Sequence, residues 1–245
     1  MTPVNNFTVL ESVYGKFIVN RHCAYQADAL VKTGRPHIDE ELQKILSIAH
    51  TLPKGSVFVD AGANIGLVAV PAAQLLAGKG GLVLAFEVQR MLYYALAGSA
   101  ALNDLTNLFV MNNGLGAEIR DEMIPLPDYG APQDFGTFSL LGANPQPKCE
   151  SLRVLTLDSM ELPGLDFLKI DVEGMEIDVI QGARQSIARY RPWCWVEHWI
   201  VGTEAVKAAF PCPDYEFYLV DGMNMLCAPS ERLKASGLTL ALPPV

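Results

Sequence analysis

"VFVDAGANIG", Val57 to Gly66, is an apolar run that ends in an acid and then turns on two glycines with an asparagine between them. In an open α/β sheet a ligand sits beyond the carboxyl ends of the strands, where the strand order reverses, so the loop after such a strand lines the binding crevice. Gly62 and Gly66 let the chain turn sharply and let a ligand come close where any β-carbon would collide. The amide groups that open the following helix attract a negatively charged group. Asp60 adds a carboxylate able to accept a hydrogen bond from a ligand or to pair with its cationic part.

Outward from this stretch the pattern alternates. Strands are expected over residues 57–60, 82–87, 108–111, 167–171 and 193–198, and helices over 67–77, 91–101, 175–188 and 203–210. Near-continuous apolar strands separated by helices are what a parallel sheet covered on both faces requires. The tail "YEFYLVDGMNMLCA", residues 215–228, places Asp221 and Gly222 between two β-rich runs. Such a pair predicts a two-residue hairpin, and with it an antiparallel pair closing the sheet. Residues 117–150, rich in Pro, Gly and Asn, read as an insertion over the sheet. Residues 1–50 read as an N-terminal cover, with a short strand around 15–19 and a helix around 39–50. The cover packs on one domain that spans 51–245.

Composition narrows the function. The chain has 245 residues, 50% of them hydrophobic and 18% charged, enough to bury a sizeable core. A net charge of -9 argues against nucleic acid as the main partner, because phosphate binding usually needs a basic face. Cys23, Cys149, Cys194, Cys212 and Cys227 form neither a C-x-x-C pair nor a metal-like spacing with the histidines, so they read as free thiols in a reducing cytoplasm. No basic start with an apolar centre marks a signal peptide, and no apolar run reaches the roughly 18 residues of a membrane span. A soluble cytoplasmic protein is the expectation.

The glycine turn discriminates between ligands. A dinucleotide site is expected to carry G-x-G-x-x-G, whose second glycine admits the pyrophosphate. Here Asn64 stands where that glycine is needed. Glu87 closes the second strand, where an acid can hold both hydroxyls of a ribose. A ligand with an adenosine ribose, an amino-acid end and a positive charge suits Asp60, the turn and Glu87 together, and S-adenosylmethionine has all three. A second constellation lies in "LDFLKIDVEGMEIDVIQGA", residues 165–183. There a strand delivers Asp171 to the same edge as Asp60, and Glu173 and Gly174 turn the chain into a helix. Glu176 has the simpler role of an acid at a helix N-terminus. Lys169 shares a strand face with Asp171, so a structural ion pair is expected.

With "FVDAGANIG", "LAFEVQ", "NNGLG" at 112–116, "LTLD" at 155–158, "LKIDVEGMEIDVIQGA", Pro192 and "VE" at 196–197, the chain resembles the FkbM family of S-adenosylmethionine-dependent methyltransferases over about residues 28–200. The resemblance implies a class I methyltransferase fold: a Rossmann-like three-layer α/β sandwich on a seven-stranded, mostly parallel sheet. It implies that Asp60, Gly62, Asn64 and Gly66 surround the methionine part of the cofactor, that Glu87 binds the ribose hydroxyls, and that Asn112 or Asn113 lies near the adenine. It also implies methylation of a hydroxyl, often on a sugar or a natural product. His37, in "TGRPHIDEE", stands where a larger aromatic is expected.

Methyl transfer to a hydroxyl needs alignment and a proton sink. Asp171 and Glu173 are the leading candidates for that sink, and His198, just past its strand, is the third. Tyr25 and His22 are within plausible reach of an acceptor, although nothing in their spacing favours them. No residue is assigned to a metal, although a carboxylate cluster can hold a divalent cation that binds a diol. Trp193 and Trp195 share a strand face and read as core. The expected partner is a small-molecule or glycan acceptor. Two other classes share these features: a NAD-dependent oxidoreductase on the same fold, and a non-catalytic module that binds the cofactor.

Overall fold

In a computed structural model that describes residues 5–140 and 148–237, the chain begins with a hairpin, β1 (Phe7–Ser12) and β2 (Gly15–Asn20). Helices α1 (Ala24–Thr33) and α2 (Asp39–Thr51) follow, then β3 (Val57–Ala61), α3 (Ala69–Ala77), β4 (Leu82–Phe86), α4 (Arg90–Leu102) and β5 (Leu108–Met111). Next come β6 (Gly114–Leu115), β7 (Arg120–Pro125), β8 (Cys149–Leu155) and β9 (Phe167–Ile170). Helices α5 (Glu176–Gly182) and α6 (Arg184–Tyr190) lead to β10 (Trp193–Glu197), α7 (Thr203–Ala209), β11 (Tyr215–Leu219), β12 (Asn224–Pro229) and α8 (Ser230–Ser236). Residues 1–4 of the expected cover, 141–147 of the expected insertion and 238–245 at the end of the expected domain lie outside the described residues.

Seven strands form one mixed sheet in the order β11-β12-β10-β9-β3-β4-β5. The pairs β10·β9, β9·β3, β3·β4 and β4·β5 are parallel, whereas β12 runs antiparallel to both β10 and β11. From β3 the chain winds outward through β4 to β5 and then returns to β9 on the other side. The reversal of strand order therefore falls between β3 and β9, where a crevice opens.

Period-two alternation divides the core between the sheet's faces. Val57, Val59 and Ala61 bury on one face with Leu168, Ile170 and Val196, under Val179, Ile180, Ile187 and Val206 of α5, α6 and α7. Phe58, Phe167, Trp193 and Trp195 bury on the other with Leu42 and Ile45 of α2, Leu76 of α3, Leu92 and Leu96 of α4, and Phe17 of β2. Three layers result. Phe58 and Phe167 stack with centroids 4.5 Å apart, and both tryptophans are core residues as expected.

The structure departs from the sequence reading at four places. The helix expected over 175–188 breaks at Ala183, whose φ and ψ of -115° and 7° are not helical. Asp158 causes the restart by accepting the amide hydrogens of Gln185 and Ser186 at 2.9 and 2.8 Å. The tail turn is longer than two residues, because Asp221 Oδ1 accepts from the amides of Met223 and Asn224 at 2.8 and 2.7 Å and so closes an Asx turn. The segment 117–150 is not irregular throughout: β7 and β8 pair antiparallel and join β6 in a second sheet. The N-terminal region likewise carries β1 and α1 besides the expected strand and helix.

Candidate functional site

A cavity of about 280 Å³ opens at the carboxyl ends of β3, β4, β9 and β10. Its floor is the glycine turn. Gly62 has a φ of +81°, and a β-carbon there would collide with the Asp171 carbonyl, so β3 and β9 approach each other only because this residue is glycine. Asn64 takes a φ of +51°, a conformation its side chain tolerates. The Asn64 amide donates to Glu87 Oε2 at 2.8 Å, and the Gln89 amide donates to Oε1 at 2.7 Å. Glu87 is 4% exposed, and burial pushes its carboxyl up to about 7 against the pull of these two amides.

Of the residues singled out from sequence, Gly62, Asn64, Glu87, Asn113, Asp171 and Glu173 come together on the cavity wall. Asp60, Gly66, Asn112 and His198 do not line it. Asp60 is fully buried behind the turn, 3.6 Å from Lys169 Nζ, and neither of its oxygens has a hydrogen-bond partner among the described residues. Burial raises its carboxyl, and the Lys169 ammonium opposes this. Lys169 also pairs with Asp171 Oδ2 at 2.8 Å, the ion pair expected from their shared face. Burial works against the Lys169 charge, yet Asp171, Asp60 and Glu41 hold its pKa above the ordinary lysine value. Gly66 packs under Leu96. Asn112 spends its side-chain amide on the carbonyls of Glu87 and Val88, at 2.8 and 3.0 Å, and so braces the loop from beneath. His198 is 8% exposed with Nε2 unpartnered, and one residue's step along the strand turns it away from the face that carries Glu197.

Glu197 is the residue that the sequence reading passed over in favour of His198. Trp195 pairs with Lys169 and Val196 with Ile170 across β10 and β9, so Glu197 continues the row beside Asp171. Period two counted from Trp195 carries the same signal. Asp171, Glu173 and Glu197 each offer a carboxylate oxygen, all within 4.8 Å of one another. Burial, then the charges of Asp171 and Glu173, raise Glu197 well above the ordinary carboxyl range. Glu173 is pushed up to about 7 by burial, then by the charges of Asp171 and Glu176. Its φ of +55° is held by Glu176, whose Oε1 accepts from the amides of Val172 and Gly174 at 3.2 and 3.0 Å.

The far wall comes from the N-terminal cover, where sequence places Tyr25 within reach of an acceptor, and from residues 134–138, which carry no role in the sequence reading. Tyr25 and His37 stack with centroids 4.3 Å apart and both line the cavity, as does Glu41. Burial holds His37 below its ordinary value. The segment containing Asp134, Phe135 and Thr137 closes over the top, tied down where Gln89 Nε2 donates to the Phe135 carbonyl at 2.6 Å and where the Ser139 hydroxyl donates to the Glu173 carbonyl. Among the described residues no lysine or arginine lines the cavity, whereas Glu41, Glu87, Asp134, Asp171, Glu173 and Glu197 all do. The cavity is therefore suited to neutral or cationic occupants.

No helix among the described residues is long and apolar enough to cross a membrane. No curated protein matches the chain by sequence. Among solved structures, the methyltransferase FkbM from Methylobacillus flagellatus KT is similar at 16% identity and a TM-score of 0.50, over 83% of this chain and 54% of that one. This chain thus spans about half the length of that protein. An rRNA methylase from Streptococcus thermophilus is similar at 13% identity and a TM-score of 0.46, over 78% of this chain and 93% of that one. The tRNA (uracil-54, C5)-methyltransferase of Pyrococcus abyssi, in complex with S-adenosyl-L-homocysteine, is similar at 10% identity and a TM-score of 0.48, over 91% and 44%. The methyltransferase FkbM domain matches residues 60–214, from the buried acid of β3 to the residue before β11. That match takes in well over half of the chain, the acid-bearing ends of β3, β4, β9 and β10 and the turn between β3 and α3, and it places the protein in the FkbM family of methyltransferases.

Proposed function

We propose that the protein moves a methyl group from S-adenosylmethionine to a hydroxyl of a small molecule or a sugar-containing natural product. The observation that carries this reading is the acid-lined cavity where the Gly62 turn, Glu87 and the Asp171–Glu173 turn meet. The residues suit the cofactor: Gly62 lets the β3 and β9 ends close together at the cavity, and Glu87 keeps lone pairs for two ribose hydroxyls beyond those given to its backbone donors. Asn113 lies on the cavity wall and is taken to meet the adenine, and the surrounding carboxylates favour a sulfonium. Asp60 acts through Lys169, and Gly66 and Asn112 act by shaping the loop.

When bound, the cofactor supplies a methyl carbon that forms a bond to the acceptor oxygen as its bond to sulfur breaks, the electron pair staying on sulfur as a neutral thioether. The chain aligns the partners and takes the acceptor's proton. Glu173 and Asp171 are the proton acceptors, since they project into the cavity from the edge opposite Glu87. His198, outside the cavity, has no direct part in this reading. The acid lining disfavours a pyrophosphate, hence NAD, and disfavours a polyanionic acceptor such as RNA.

Calorimetry with S-adenosylhomocysteine and with NAD tests the cofactor, and methyl transfer from labelled S-adenosylmethionine to a panel of polyols and glycosides tests the reaction. Binding of the thioether, no binding of NAD, and a Glu173→Gln protein that binds cofactor but transfers slowly are the expected results. Binding of NAD alone overturns the reading. Tight cofactor binding with no transfer to any nucleophile favours a non-catalytic module.

A further inference from the structure

We infer that Asp171, Glu173 and Glu197 form a site for one hard divalent cation, such as Mg²⁺, at the acceptor end of the cavity. Three carboxylates from two neighbouring strand ends converge there, each with an oxygen within 4.8 Å of the other two. Oxygens that share one hard cation at ordinary bond lengths lie about 3 to 5 Å apart, so the spacing suits a common ion. An acidic cluster alone is commonplace on protein surfaces, and a second observation sets this one apart. Glu197 is only 8% exposed, it lines the cavity, and its Oε2 has no hydrogen-bond partner among the described residues. In its ionised form a buried carboxylate oxygen without a donor, at the wall of a polar cavity, is costly unless a cation or a donor meets it.

Protein cations do not fill that need. Lys169 Nζ is turned toward Asp171 Oδ2, at 2.8 Å, and toward Asp60, at 3.6 Å. Neither ion pair reaches Glu173 or Glu197, and no lysine or arginine among the described residues lines the cavity. The donor set is oxygen only, which selects Mg²⁺, Mn²⁺ or Ca²⁺ over zinc or copper. Three protein ligands leave coordination positions open. An acceptor with two adjacent oxygens would take these positions, and the cation would make its hydroxyl more acidic. One-oxygen ligation leaves the second oxygen of Glu173 free to take the proton, whereas Asp171 Oδ2 is held by Lys169 at 2.8 Å. That role deepens the methyl-transfer reading and rests on it, whereas cation binding itself does not.

Mn²⁺ alone, titrated into EDTA-treated full-length protein and followed by electron paramagnetic resonance, is the test. One Mn²⁺ per chain, displaced by Mg²⁺, is expected, with affinity at least tenfold weaker in Glu197→Gln and in Glu173→Gln. Thermal unfolding and S-adenosylhomocysteine binding of the same proteins report fold and cofactor site separately. If Glu197→Gln does not fold, Glu173→Gln decides. No Mn²⁺ binding by the wild type at millimolar concentration, or wild-type affinity in the folded variants, overturns the site. Mn²⁺ binding without S-adenosylhomocysteine binding leaves the cation site standing and removes the cofactor reading instead.

Discussion

The backbone amide of Asn64 donates to Glu87 Oε2 at 2.8 Å, so the turn after β3 and the end of β4 are locked together by the carboxylate proposed to hold the ribose. The same carboxylate is buried and raised to about 7, which ties cofactor affinity to pH. Ribose hydroxyls donate best to the ionised form. Affinity for S-adenosylhomocysteine should therefore fall as pH drops through about 7, from a plateau on the alkaline side. In the free protein the sign is reversed. A carboxyl raised from 4.5 to about 7 supports the fold fully below 4.5 and loses that contribution as pH rises through 7. The rise in Tm caused by the ligand should accordingly grow with pH. Calorimetry and thermal unfolding across this range check both, and a pH-independent affinity speaks against the ribose role. Glu87→Gln should weaken binding tenfold or more, since a hydrogen bond to a charged group contributes about 1.5 to 3 kcal/mol.

Lys169 stands between two carboxylates, and Asp60 has no hydrogen-bond partner to fall back on. Lys169→Met should destabilise the protein by about 3 to 5 kcal/mol, because it strands a buried charge. Adding Asp60→Asn should recover part of the loss. Denaturant unfolding of both variants measures this, and a Lys169→Met protein as stable as the wild type means that Asp60 is already neutral.

Gly182 is the last residue of α5, a position where alanine is ordinarily tolerated. A β-carbon there would meet the Gly116 carbonyl. Close packing should override propensity: Gly182→Ala is expected to lower stability by about 1 to 3 kcal/mol. A rise in Tm would show that the helix shifts freely away from β6.

Asn112 and Asn113 are adjacent but face different tasks. Asn112→Ala leaves the carbonyls of Glu87 and Val88 without their donor and should cost about 1 to 3 kcal/mol of stability. Asn113→Ala should leave Tm nearly unchanged and weaken cofactor binding severalfold. Melting curves beside S-adenosylhomocysteine titrations separate the two, and equal behaviour of the variants contradicts the division.

Much of the frame was legible because its signals are local. The apolar runs of β3, β4, β5, β9 and β10 carry their strand character in their own side chains, and the glycine turn and Glu87 follow them directly. Lys169 and Asp171 could be paired from period two alone. What failed were readings that depend on a partner distant in sequence. Asp158 breaks the expected long helix by capping α6 from far away in the chain; the tail turn is a local exception, lengthened because Asp221 accepts from the amides of Met223 and Asn224. His198 was preferred to Glu197 because a histidine next to a strand end attracts notice, whereas the face of that strand is settled by the residues it pairs with.

Alternation, strand ends and the acid-glycine turn were therefore determined by sequence alone, since each rests on steric and hydrogen-bonding preferences within a few residues. Only the tertiary structure decided which acids meet. Asp60 went behind the turn to Lys169, while Glu41, Glu197 and the segment around Asp134 reached the cavity from elements far apart in the chain. Desolvation and charge proximity depend on three-dimensional packing, so the raised carboxyls of the site follow from the folded arrangement and from no single stretch of residues.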